Sequence, residues 1–222
     1  MVMRERFEQQ LDELRTDILH MGQLVEDELL LAMKALETLD ADLAAQVYVA
    51  DEEVNRMRFG TEEKCFTVIV TQQPAARDLR SVVSVMNMIV DLERMGDQAK
   101  GIAKVIPRLK ERNDRPLPPE LAQMGEMVIN MLRQSMLAYQ NDSVGLARFV
   151  AAQDDDVDDL FSRVFGKLMQ QMAKDSEPDE VKSSYEMLRV ARELERYGDL
   201  ATNIAERVIY RVTGSFQEIN SD

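Results

Sequence analysis

Apolar residues along this chain recur at spacings of three and four, and no segment keeps the strict alternation of a half-buried strand. Leu79, Val82, Val83, Met86, Ile89 and Val90 illustrate the pattern. At ~100° per residue they all fall within about 80° of Leu79, as one stripe of a helix does. Breaks divide the pattern. Asp40 or Asp42, after Leu39, is placed to cap a new helix. Gln73-Pro74 ends that helix, because proline starts a helix and does not sit inside one without cost. A proline-dense polar stretch runs from Arg112 to Pro119, and further breaks fall at Asn141-Asp142-Ser143 and Ser176-Glu177-Pro178. The pattern predicts an all-α protein of six long helices in two tandem, pseudo-symmetric three-helix bundles. The bundles span 1–111 and 120–213, with a proline-rich linker at 112–119 and a tail at 214–222.

The halves repeat each other. Glu93-Arg94-Met95-Gly96-Asp97-Gln98-Ala99-Lys100-Gly101-Ile102-Ala103 returns as Glu195-Arg196-Tyr197-Gly198-Asp199-Leu200-Ala201-Thr202-Asn203-Ile204-Ala205, identical at seven of eleven positions and offset by 102. Upstream, Ala44, Val47, Asp51 and Val54 align with Ala147, Val150, Asp154 and Val157 at an offset of 103. One single-residue gap reconciles the two, so each half is one copy of the same three-helix unit.

Composition narrows the chemistry. The chain has 222 residues, 45% of them hydrophobic, with 5% aromatics, no Trp and 15 Met, which suits helical packing better than a sheet. A net charge of −14 repels phosphate backbones and argues against nucleic-acid binding. Cys65 is the single cysteine and fits a reducing compartment, as a buried or idle thiol. No apolar stretch is long enough to cross a bilayer, so a soluble, cytoplasmic protein is expected. His20 is the only histidine, which leaves little for triad or di-iron chemistry. With no glycine-rich phosphate loop, ATP is not an expected cofactor.

Continuing the count from Leu79 puts Glu93 at about −40° and Asp97 at about 0°, within the stripe meant for the core. In the other half Asp154 and Asp158 share a face with Ala147, Val150, Phe161 and Phe165. Buried carboxylates need arginine partners, a raised pKa or a cation. Arg94 and Arg196, adjacent to the glutamates, point about 100° away on a helix. A cation satisfies a whole cluster at once, and an oxygen-only ligand set favours Mg²⁺, Ca²⁺ or Mn²⁺, with Fe or Zn open through carboxylates. Gly96 and Gly198, each inside a helix, point to close helix approach or to room beside the ligands. Two other readings stay open: a carboxylate-bridged metalloenzyme and a metal-free helical scaffold.

The paired E-R-x-G-D phrases, the paired D-x-x-V-N/D phrases and Gln73-Pro74-Ala75-Ala76-Arg77-Asp78-Leu79-Arg80 resemble the PhoU family of phosphate-uptake regulators, from about Phe7 to Arg211. The resemblance implies a dimer of paired bundles with multinuclear sites for Fe, Zn, Mn or Mg. It maps the metal motifs onto Glu93 with Asp97, Glu195 with Asp199, Asp51 with Asn55, and Asp154 with Asp158, with Asp155 and Asp159 as extra ligands. Asn55 departs from a strict carboxylate pair, which implies a less charged first site. The resemblance also implies a cytoplasmic adaptor rather than an enzyme. Its partners would be the ATPase subunit of a phosphate ABC transporter and a sensor histidine kinase, and it would meet the membrane only through them. In phosphate-replete cells it would restrain uptake and hold the starvation response off.

Overall fold

The computed structural model describes residues 2–111 and 116–215. Half of the predicted linker, 112–115, and the tail from 216 lie outside the described residues. All regular structure within them is helical: α1 (Val2–Thr38), α2 (Ala41–Gln72), α3 (Ala76–Ala103), α4 (Ile106–Lys110), α5 (Pro119–Asn141), α6 (Val144–Ala151), α7 (Asp154–Met172) and α8 (Pro178–Thr213). The predicted boundaries have local causes. Asp40 caps α2, its carboxylate accepting from the N–H groups of Asp42 and Leu43. Gln73 closes α2 in the left-handed region, and Ser143 caps α6 by accepting from the Leu146 N–H.

Two breaks are additional. The third helix of the first half turns at Lys104-Val105, and short α4 follows. In the second half the middle rod is cut at Ala152-Gln153 and restarts at Asp154, although its counterpart α2 is continuous. Asp154, Asp155 and Asp156 form the first turn of α7, where the positive end of the helix dipole favours acids.

α1, α2 and α3 form one bundle, and α5 to α8 form the other. The two are joined along their length. α3 packs on α8 about as extensively as α1 packs on α2, and α1 also packs on α5. One buried apolar cluster runs through both. Tyr197 crosses the junction, its hydroxyl donating to the Val25 carbonyl at 3.1 Å, and Arg133 pairs with Glu26 at 2.7 Å. Among the described residues no helix is long and apolar enough to cross a membrane.

The phase of α3 differs from the expected one. Its buried face is Val82, Val85, Met88, Ile89, Leu92, Met95, Ala99 and Ile102. Leu79 is 38% exposed, while Val83, Met86 and Val90 are half-buried. α3 has α1, α2 and α8 on three sides, so apolar residues occupy much of its circumference and their spacing alone does not show which are central.

Candidate functional site

That rotation moves the carboxylates from the core stripe to its edge. Glu93 is half-buried, and the side chain of Asp97 is 51% exposed. In the second half the break at Ala152-Gln153 resets the count: α7 buries Val157, Leu160, Val164 and Leu168. Asp154 is therefore half-buried, Asp158 exposed and Phe165 exposed, at the margin of that stripe. Glu93 with Asp97, and Asp154 with Asp158, line seams between helices and do not lie within the core.

In the first bundle Asp51 is 4% exposed, and its Oδ2 accepts from Lys100 Nζ at 2.7 Å and from Asn55 Nδ2 at 2.5 Å. Lys100 reaches Asp97 Oδ1 as well, also at 2.7 Å, and so ties α2 to α3. Partial burial works against the charge on Lys100, but its bonds to Asp51 and Asp97 outweigh that and hold the ammonium above its ordinary range. Asp51, Asn55 and Asp97 are thus brought together. Among the described residues no hydrogen bond or ion pair ties Glu93 to them.

Sequence reasoning missed two members of this group, Lys100 and Glu28. Glu28 is 1% exposed, and neither of its oxygens has a hydrogen-bond partner among the described residues; Asp51 Oδ1 lacks one too. Burial first, then the Asp51 charge, pushes the Glu28 carboxyl up to about 9, with Asp97 adding and Lys100 opposing. The signal was available: Glu28 takes a core register on α1, between Val25 and Ala32. Lys100 stands opposite the neutral Thr202 in the repeat.

In the second bundle Asp154, Asp158, Glu195 and Asp199 act on one another. Partial burial, then Glu195, Asp154 and Asp158, raise Asp199 to about 6, against Arg196. Partial burial also raises Glu195, which Asp158 and Asp154 raise further and Arg192 and Arg196 oppose. Asp158 is raised by desolvation and then by Asp154, Asp155 and Asp159. Thr202 Oγ1 donates to Asp154 Oδ1 at 3.3 Å. No three described His, Cys, Asp or Glu side chains converge closely enough to hold an ion as they stand. The donor chemistry of this second group still fits a hard cation, since the carboxylates are oxygen donors that repel one another and Asp158 and Asp199 remain solvent-accessible.

The paired glycines prove unlike. A Cβ at Gly96 would lie 3.0 Å from Glu28 Oε2 and 3.1 Å from Asp51 Oδ1, whereas at Gly198 it would make ordinary 3.5 Å contacts with Val128 and Val157. Gly198→Ala is expected to hold or raise stability by up to ~1 kcal/mol through helix propensity. Gly96→Ala should lower it by about 1–3 kcal/mol through overpacking. Thermal denaturation of the pair checks this, and equal effects would count against it. The remaining candidates are quiet: His20 is exposed, and burial pushes the buried Cys65 thiol up to about 12.

Two joined helical bundles, each with acids along the seam between its second and third rods, define a duplicated all-helical protein. The chain belongs to the PhoU family, whose domain matches twice, over residues 18–106 and 121–208. It is 36% identical over 218 residues to the phosphate-specific transport system accessory protein PhoU homolog of Clostridium acetobutylicum, covering 98% of this chain and 99% of that one. Its Streptococcus pneumoniae counterpart is 33% identical, with 98% and 100% covered. Among solved structures, PhoU from Pseudomonas aeruginosa superposes with a TM-score of 0.90 at 35% identity, covering 94% of this chain and 100% of that one. The phosphate transport system regulatory protein PhoU from Streptococcus pneumoniae gives 0.88 at 30% identity, with 96% and 99% covered.

Proposed function

We propose that this protein is an accessory regulator of phosphate-specific transport, acting in the cytoplasm as an adaptor and not as an enzyme. The observation that carries this reading is the match of both bundles to PhoU domains, over residues 18–106 and 121–208. Its relatives' names as transport accessory proteins, at 36% identity over 98% of the chain, support it. In this reading a dimer docks on the ATPase subunit of a phosphate ABC transporter and on a sensor histidine kinase. It restrains uptake and starvation signalling when phosphate is plentiful. Asp154, Asp158, Glu195 and Asp199 would hold a divalent or transition metal ion, with Asp155 and Asp159 at its rim. The ion would supply the positive charge that relieves their repulsion and fixes α7 against α8.

The purified chain is expected to retain the transporter's ATPase subunit in a pull-down at high phosphate and to release it at low phosphate. In cells lacking their own relative, it should restore repression of a phosphate-starvation reporter under phosphate excess. Failure to retain the subunit at either level, with a reporter that stays on, would overturn the reading.

A further inference from the structure

Under the repeat that pairs Asp97 with Asp199, Lys100 pairs with Thr202. The difference is not a loose surface substitution. The Lys100 side chain is 18% exposed, and its ammonium sits 2.7 Å from Asp51 Oδ2 on α2 and 2.7 Å from Asp97 Oδ1 on α3. Those two carboxylates are the ones a bridging ion would have to share. Asn55, opposite Asp158 in the repeat, turns its amide N–H toward the same Asp51 Oδ2. That oxygen therefore faces two hydrogen-bond donors, and the Lys100 ammonium has no lone pair with which to hold a metal.

A further exchange accompanies these. The open flank of Gly96 faces Glu28 and Asp51, and that of Gly198 faces Val128 and Val157. At the repeat's offset of 103, Glu28 stands opposite Met131, which is buried and apolar. Relative to its counterpart, the first seam adds one acid and one base together and replaces a carboxylate by an amide. We infer that Lys100 is the resident cation of the first bundle, so that this chain holds metal in one bundle and not in two.

The consequence is a division of labour, resting for the second bundle on the metal reading given above. An ammonium tethered to its own helix does not exchange with solvent, so the α2–α3 seam is assembled whatever the metal supply. The α7–α8 seam, with a neutral threonine in the equivalent position, depends on an ion from outside. If the inference is wrong, an ion should bind on the Glu28 side of the first seam, where Asp51 Oδ1 and both Glu28 oxygens lack partners.

The test is the Mn²⁺ retained per chain after gel filtration, measured by elemental analysis, with circular dichroism as the check on folding. E195Q/D199N is expected to lose the ion that the wild type carries. Adding K100T to that background should restore about one ion per chain, and adding K100R should restore none. An E195Q/D199N chain that keeps the wild-type load would overturn the inference, because the metal would then lie in the first bundle. A folded K100T chain that gains nothing would also overturn it, and if K100T fails to fold, the E195Q/D199N load decides. A wild type without metal, alongside a K100T chain that gains it, would instead remove the second-bundle reading and leave the role of Lys100 standing.

Discussion

Replacing Glu28 by Gln is expected to stabilise the protein at alkaline pH and to flatten its pH–stability profile. The Glu28 carboxyl is raised from an ordinary 4.5 to about 9 in the folded state, by burial first and the Asp51 charge second. Between those values the folded chain holds a proton that the unfolded chain has released. Its stabilising effect is complete below pH 4.5 and is lost as pH rises toward 9, at a limiting slope of about 1.4 kcal/mol per pH unit. Glutamine keeps the shape and removes the titration. E28Q should therefore match the wild type near pH 5 and exceed it by roughly 2–4 kcal/mol at pH 8. Urea denaturation at a series of pH values reads the difference directly. Parallel profiles for the two proteins would show that Glu28 is ionised in the fold and neutralised by something other than a proton.

Metal addition should raise the melting temperature of the wild type and leave that of E195Q/D199N unmoved. An ion that binds only the folded state, at 100 times its dissociation constant, contributes about 2.7 kcal/mol. For a chain of this size that corresponds to roughly 5–11 °C. Without metal the order reverses. Asp199 is raised to about 6 by partial burial and by Glu195, Asp154 and Asp158, so the stability tied to its proton is lost as pH climbs from 3.8 through 6. Asp199 is still more than a third exposed and solvent screens the repulsion, so D199N should gain only about 1 kcal/mol at pH 7. Thermal melts with Mn²⁺ and with chelator separate the two effects. If D199N were destabilised in chelator, the carboxylate would be stabilising the seam on its own, against the case for an ion.

Much of the architecture was readable from local chemistry. Asp40 and Ser143 cap helices because their side-chain oxygens reach backbone N–H groups two or three residues on, and Gln73-Pro74 and Glu177-Pro178 end or begin helices through the backbone alone. These causes operate over a few residues, so they survive in any tertiary setting. The duplication was equally plain, and in the fold Asp154, Asp158, Glu195 and Asp199 lie near enough to act on one another's charge.

Rotation about a helix axis was not readable in this way. On α3, surrounded by three helices, the apolar spacing suits several phases, and packing against α1, α2 and α8 selects the one that leaves Asp97 at the edge. The restart at Asp154 shifted the second acidic face for a related reason, since a two-residue break resets the angular count. Lys100 and Glu28 are the sharpest cases. Lys100 lies 49 residues from Asp51, and Glu28 comes from a helix that the repeated motifs do not include. A charge's partner is set by distance in space, through desolvation and Coulomb attraction, and helix packing alone brings these side chains within reach. Helix ends, the duplicated unit and the acidic inventory are properties of the chain's local chemistry. Which acids meet a proton, a lysine or an open seam is a property of how the helices turn toward one another.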